Sequence, residues 1–379
     1  MRTRASILRS APGLFEPAVV ELEEPRTGEI TVRLTAAGLC HSDDHYATGD
    51  IPAGIYPLCG GHEGSGVVVD VGPHTAGWAV GDHVVFAFVP ACGRCRWCAE
   101  GKQNLCDLGA TMLSGARFED PDSYRMSLDG APVGQVCGVS TFSELTTVSV
   151  NSAVKVDPGV PLAPLALLGC CVGTGWGSSV NAAEVAPGQT VIVMGTGGIG
   201  MSAVQGAAHA GAADIIAVDP AGLKREVAMK LGATHAVAGI EEAAEIARSL
   251  TNGQGADAAV VTVGITTGEH VGQALGSIRK DGVVVVTGAG PAAVGSLPVN
   301  LLDLTMSQKR VVGALYGKSS PFSMVPKLVE LYGSGKLKLD EMVTRRYRLD
   351  QVAEGYADMH AGRIVRGMVA FDEEGPKSA

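Results

Sequence analysis

Thr190 to Asp219 reads TVIVMGTGGIGMSAVQGAAHAGAADIIAVD. The run Thr190-Val191-Ile192-Val193-Met194 is apolar and short, the pattern of a fully buried strand. A G-x-G-x-x-G turn follows as Gly195-Thr196-Gly197-Gly198-Ile199-Gly200. An alanine-rich segment to about Ala210 has helical character, and Ile215–Val218 is a second buried strand ending at Asp219. Together these make one strand-helix-strand unit. Gly195 allows the tight turn, Gly197 lets backbone approach a pyrophosphate, and Gly200 lets the helix pack on the strand. The phosphates would sit on the helix N-terminus, where unpaired N–H groups and the helix dipole favour an anion. Asp219 is placed to accept from ribose hydroxyls and to repel a 2′-phosphate, which favours NAD over NADP. In a chain with 52 glycines the turn alone is weak, and a merely structural turn is the alternative; the flanking strands, helix and acid carry the reading.

Working outward, 379 residues are enough for two domains, each with its own core. The net charge of −10 argues against nucleic acid or an anionic membrane as partner. Arg2, Arg4 and Arg9 flank no apolar segment adequate for a secretory signal, so a cytoplasmic setting is expected. In that setting, clustered cysteines read as metal ligands before disulfides. Beyond Asp219, helix-like Leu223–Leu231 and Glu241–Leu250 alternate with buried strands at His235–Ala238, Ala258–Val263, Val283–Thr287 and Val311–Leu315. That alternation predicts a doubly wound parallel sheet of six strands, an α/β fold with ligand across the strands' carboxyl ends. Met306–Arg310 and Val325–Tyr332 read as helices, Leu337–Met342 as a return to the first domain, and Glu373–Ala379 as a polar tail. The first 35 residues alternate in short runs, and Ser65–Val71 and Gly81–Val85 are strand-like, so the N-terminal region reads as irregular and mainly β.

Two sets of residues there point to metal. Cys92-x2-Cys95-x2-Cys98-x7-Cys106 can complete a tetrahedral zinc shell, and a shell of four cysteines leaves no place for substrate, so its role is structural. A catalytic zinc needs three protein ligands and an open position; Cys40, His62 and a later cysteine are the candidates. Glu63 follows His62 directly, as a carboxylate behind the ligands or one that enters the metal's shell transiently. Cys59 and Cys137 read as buried small hydrophobes.

With these features in one chain, the sequence resembles the zinc-dependent alcohol dehydrogenases of the medium-chain dehydrogenase/reductase family, over essentially its whole length. Around GLCHSDDHYATGD, ACGRCRWC, NLCDLGA and LLGCCVGTGWGSSVNAAEV it is most similar to the actinobacterial members assayed with a nitroso-dimethylaniline acceptor, some of which hold NAD tightly. The resemblance implies a GroES-like catalytic domain, residues 1–171 completed by 316–379, and a Rossmann domain over 172–315. It implies two Zn²⁺ per chain and reversible hydride transfer between a primary or secondary alcohol and NAD. The third catalytic-zinc ligand would be Cys170 in Leu168-Gly169-Cys170-Cys171-Val172-Gly173-Thr174, with Cys171 as the other candidate because it stands where glycine is usual. Ser42 and His45 fall at the family's proton relay, although Ser42 alone also suits a helix cap and His45 a surface position. Phe88, Val136 and Cys137 fall at its substrate pocket, Thr174 among its cofactor-binding residues, Ile199 at the nicotinamide, Lys224 at the adenosine ribose and Arg366 at the pyrophosphate. Two departures stand out. His41 replaces a pyrophosphate-binding arginine, so a neutral ring there would hold phosphate less strongly. Ala110 replaces the anion-binding arginine of the glutathione-dependent formaldehyde dehydrogenases, which disfavours a glutathione adduct while leaving another thiol carrier open. A zinc-free reductase and a non-enzymatic NAD-binding protein of this fold are the remaining alternatives. Small alcohols or aldehydes are the implied substrates, and a homodimer or homotetramer the implied assembly.

Overall fold

A computed structural model describes residues 1–292 and 296–371, so the polar tail lies outside the described residues. Six parallel strands form the sheet expected from Thr190 onward. They run in space from His235–Val237 through Asp214–Val218, Thr190–Met194, Ala256–Val261 and Ile278–Val286 to Arg310–Gly313. All five residues of the Thr190–Met194 strand are buried, as a central parallel strand with both faces covered requires. The order reverses beside this strand, which opens a crevice above its carboxyl end.

The chain before this sheet forms a small closed barrel (Arg2–Leu8, Phe15–Leu22, Leu58–Cys59, Met126–Leu128 and Ala131–Gln135) and most of a seven-stranded sheet. The last two strands, Val343–Tyr347 and Arg366–Ala370, return to that second sheet, where Arg366–Ala370 pairs with Glu29–Gly38. The expected return thus comes a few residues after Leu337–Met342, which is a turn closing on a helical turn at Asp340–Met342. The helix expected at Met306–Arg310 instead spans Leu301–Met306. The Asn300 side chain accepts from Asp303 N and starts it early, and Gln308 at φ 51° ends it. The final strand stops at Gly313, and Leu315–Lys318 forms a 3₁₀ turn with Tyr316 and Gly317 at positive φ. Among the described residues no single helix is long and apolar enough to cross a membrane.

The dinucleotide turn shows why its glycines are there. Gly195 has φ +91°, open to glycine but strained for an L side chain. A Cβ on Gly200 would lie 1.9 Å from Gly195 O and 2.9 Å from Thr262 Oγ1. Gly200→Ala is therefore expected to cost about 1–3 kcal/mol through forced backbone movement. A melting curve should show a drop of several degrees, and an unchanged Tm would refute the packing role.

Candidate metal and dinucleotide site

Three short segments distant in sequence deliver the first donor set. Cys40 precedes the helix His41–Thr48, His62 sits in the loop before the strand Gly64–Val71, and Cys170 precedes the helix Cys171–Gly177. Their donor atoms lie within 4.8 Å of one another and all three residues are buried. His62 Nε2 is 3.2 Å from Cys170 Sγ, close to the ~3.5 Å edge expected between nitrogen and sulfur on one zinc. On the other side of the ring, His62 Nδ1 is 2.9 Å from Asp43 Oδ2, a close charge contact although the N–H is not aimed along the oxygen. Gly61 N donates to Asp43 Oδ1 at 2.9 Å and fixes the carboxylate. A carboxylate behind a ligand imidazole orients it and raises its basicity.

The protonation chemistry fits a metal. A hydrogen bond from Cys170 holds the Cys40 thiol well below its ordinary range, and His62 and Arg366 add to this against burial. Cys170 is pushed up by sharing that proton and by burial. Burial opposes a charge on His62, but Asp43 and Cys40 outweigh it and raise the ring well above its usual value. A dication would replace these shared protons; two sulfurs, one nitrogen and an open side match a catalytic zinc site.

The second set is the lobe Cys92–Cys106. Its four sulfurs lie within 4.8 Å of each other, with Cys92 Sγ and Cys98 Sγ 4.0 Å apart and Cys95 Sγ and Cys106 Sγ 3.9 Å apart. A tetrahedral ZnS₄ shell has edges of about 3.8 Å, whereas a disulfide needs about 2 Å. Backbone N–H groups of Cys92 and Cys95 donate to Cys106 Sγ and Cys92 Sγ, both at 3.3 Å, as thiolate ligands require. The lobe is tied to the far end of the parallel sheet through Asn104 Nδ2, which donates to Leu315 O, and through Ser320 on Gln103.

The first donor set opens on a cavity of about 470 Å³ that ends at the dinucleotide turn. Cys40, Ser42, Phe88 and Cys170 line one end, with Thr174 and Ile199 along the wall; Asp219, Pro220 and Lys224 line the other. Gly197 faces open space, so its missing Cβ leaves room for a ligand. Arg366 Nε and Thr174 Oγ1 are buried without a hydrogen-bond partner on that wall, which suits an anion and a polar ring. Thr196 N and Ala221 N donate to the two oxygens of Asp219 at 2.9 Å, holding a carboxylate at the strand end, with Lys224 Nζ 4.0 Å away. These residues fit a dinucleotide. Burial lowers the His41 imidazole, so it is neutral near pH 7 and brings no charge to a phosphate.

Glu63 stands behind the donors and not among them, Cys170 and not Cys171 joins the cluster, and Val136 and Cys137 fall outside the cavity. Glu63 is outside the ligand set: its Oε1 takes Arg366 Nη2 at 2.5 Å and its Oε2 takes Cys171 N at 2.9 Å. Arg366 thereby spends one nitrogen on Glu63 and offers the rest of its guanidinium to the cavity. Cys171 turns its sulfur to Leu167 O at 3.6 Å, which leaves Cys170 in the cluster. Val136 and Cys137 are buried in the core beside Tyr46 and Phe88 and are not among the residues lining the cavity; of the three pocket candidates only Phe88 is. Burial pushes the Cys59 and Cys137 thiols up to about 12, in keeping with inert packing. Asp43, which stands against the donor His62, was not anticipated from the sequence. Its place three residues after the ligand Cys40 was the one signal the sequence held for it.

Protein purified in zinc-containing medium is expected to hold two zincs per chain by elemental analysis. Cys170→Ser should lose one, Cys95→Ser the other together with several degrees of Tm, and Cys171→Ser neither. Loss of a zinc in Cys171→Ser would overturn the assignment. Because both thiols and the His62 ring must shed protons to bind metal, zinc occupancy should fall on acidification.

Comparison with known proteins agrees with this geometry. A family profile described as "Zinc-binding dehydrogenase" matches residues 198–333, and one described as "Alcohol dehydrogenase GroES-like domain" matches residues 26–158. The chain is 48% identical over 373 residues to an NDMA-dependent alcohol dehydrogenase of Amycolatopsis methanolica, covering 97% of this chain and 99% of that one. It is 46% identical over 370 residues to a putative alcohol dehydrogenase D of Mycobacterium tuberculosis, covering 97% of this chain and all of that one. Among solved structures, benzyl alcohol dehydrogenase from Acinetobacter calcoaceticus superposes with a TM-score of 0.89 at 28% identity, covering 98% of this chain and 99% of that one. With this identity along nearly its whole length, and with both zinc-donor sets and the dinucleotide turn in place, the chain belongs to the zinc-dependent alcohol dehydrogenases of the medium-chain dehydrogenase/reductase family.

Proposed function

We propose that this alcohol dehydrogenase oxidises small primary alcohols with an NAD that it retains, which an external acceptor reoxidises. The observation that carries the reading is that one cavity joins Cys40 and Cys170 to the dinucleotide turn and Asp219. Zinc held by Cys40, His62 and Cys170 would supply Lewis-acid polarisation of a substrate hydroxyl. Ser42 Oγ, 3.7 Å from Cys40 Sγ, stands beside that position and receives the substrate proton. His45, on the same helix and lining the same cavity, carries it outward. Ile199 lines the cavity where it would back a nicotinamide, and the carboxylate of Asp219 would favour NAD over NADP. Phe88 makes edge contacts with His62 and Tyr316, giving the reacting end an aromatic wall suited to an apolar alcohol.

The domain division we propose is 1–171 with 316–379 as the catalytic part and 172–315 as the NAD-binding part, a reading supported by the return of Val343–Tyr347 and Arg366–Ala370 to the sheet of the N-terminal region. The assembly we propose is a dimer through the edge strand Arg310–Gly313. That edge presents an unpaired ladder next to Leu301, Leu302 and Met306, each more than 70% exposed. The setting is cytoplasmic.

Protein isolated without added cofactor should carry close to one nicotinamide per chain and reduce nitroso-dimethylaniline with an alcohol in the absence of free NAD. Protein free of nicotinamide and dependent on added NAD would overturn retention. Asp219→Gly should raise the relative affinity for NADP by about tenfold, since one removed charge repulsion is worth about 1 kcal/mol or more.

A further inference from the structure

The side chain of His45 is 3% exposed, and both of its ring nitrogens are engaged. Nε2 lies 3.1 Å from Gly264 O, on the loop after the strand Ala256–Val261, and Nδ1 lies 3.1 Å from Asp50 Oδ2. A carbonyl and a carboxylate only accept, so both bonds are made at once only by a ring with two protons. Asp50 Oδ2 also accepts from Thr48 Oγ1 at 2.8 Å, and these two donors hold its carboxyl below the usual range. The Asp50 main-chain oxygen accepts from Ala292 N at 3.1 Å, which anchors the turn to the loop after the strand Ile278–Val286. The Asp50 side chain is 28% exposed. It is the place where the buried ring meets water.

We propose that Asp50 is the outlet of the proton path: it orients His45 and takes the Nδ1 proton to solvent. The inference rests on the reading of His45 as the relay. The proton balance closes. Oxidation breaks the alcohol O–H and C–H bonds, the hydride goes to NAD, and one proton enters the path at Ser42. His45 with a proton on Nδ1 alone gains the incoming one at Nε2, which makes the doubly protonated ring that donates to both Gly264 O and Asp50 Oδ2, and it then gives its Nδ1 proton to Asp50 Oδ2. Asp50 releases it to water and one H⁺ appears per aldehyde; the ring is left with its proton on Nε2, and exchange with water, one proton returned to Nδ1 by way of Asp50 and one given up from Nε2 to the emptied cavity, resets it for the next turnover. Asp50 touches neither substrate nor cofactor and acts through His45; it is a positioning and proton-accepting residue.

Asp50→Asn keeps an oxygen that accepts from His45 and Thr48 but cannot take up a proton. In stopped-flow single turnovers read by a pH-indicator dye, this variant should slow proton release by about tenfold or more, with KM for the alcohol within about twofold. Asp50→Glu should recover most of the rate. In cofactor-free protein, the hydrogen-bonded Nδ1 proton of His45 should give a low-field NMR resonance that moves upfield in Asp50→Asn, because an amide oxygen is a weaker acceptor than a carboxylate. Unchanged proton release, an unmoved resonance, or equal losses in Asn and Glu with a raised KM would each overturn the proposal. His45→Gln separates the two readings. If it too releases protons at the parent rate, the relay itself is wrong; if it is slow while Asp50→Asn is not, only the outlet is wrong.

Discussion

A single buried carboxylate holds the reacting end of this molecule together. Glu63 is completely buried one residue after the ligand His62. Its Oε1 takes Arg366 from the strand that returns at the far end of the chain, and its Oε2 takes the backbone N–H of Cys171. The ion pair thus ties the His62 loop, the Cys170–Cys171 turn and the last strand to one another. It also reaches the dinucleotide turn, since a Cβ on Gly198 would meet Arg366 Cδ at 3.1 Å. The strand Glu29–Gly38 ends under the same carboxylate: a Cβ on Gly38 would lie 1.9 Å from Glu63 Oε1. A buried pair of this kind adds little net stability over an apolar replacement, but losing one partner costs about 3–5 kcal/mol because the other charge is stranded. The pair sets where Cys170 stands relative to Cys40 and His62.

Electrostatics at that junction is arranged around a dication. Cys40, Cys170 and Glu63 bring potential negative charge into a buried space, and His62 and Arg366 bring the compensating positive charge. Burial pushes Glu63 above its ordinary range, and Arg366 with the Cys171 N–H offsets part of that while committing the guanidinium. With Arg366 so committed and His41 neutral, the phosphate end of the cavity has less mobile positive charge than a pair of free arginines would give. Anion binding there falls back on the helix start at Gly198 and on the unpartnered Arg366 Nε. A cofactor held mainly by fixed N–H groups and shape depends weakly on surface charge and salt.

The sequence was most legible where chemistry demands a spacing. The four lobe cysteines fall within one short stretch, and the turn from Gly195 to Gly200 is a local backbone requirement, so both could be read directly. The central strands were legible because parallel strands covered on both faces are continuous apolar runs, as in Thr190–Met194. Long-range partners were not legible. Nothing local to Glu63 says that its oxygens are taken by residues 108 and 303 positions away, so a place behind the ligands and a transient place among them both stayed open in the sequence. Asp43 carries no motif of its own, and only the fold shows it fully buried against His62. The helix Gly268–Ser277 escaped notice because glycines at 268, 272 and 276 interrupt its apolar period.

Cys170 and Cys171 show what the structure adds. Adjacent identical side chains cannot be told apart by type, and either could serve as ligand by sequence. The backbone decides between them: Cys170 has φ −140° and ψ −79°, outside the helix, while Cys171 begins it. The first helical residue must present its N–H to an acceptor, and the acceptor there is Glu63 Oε2 at 2.9 Å. With its N–H committed and its sulfur turned back toward Leu167 O, Cys171 points away from the cluster, and the residue outside the helix is left facing His62. The ligand choice is therefore a consequence of helix capping, and the capping group is the same carboxylate that anchors Arg366.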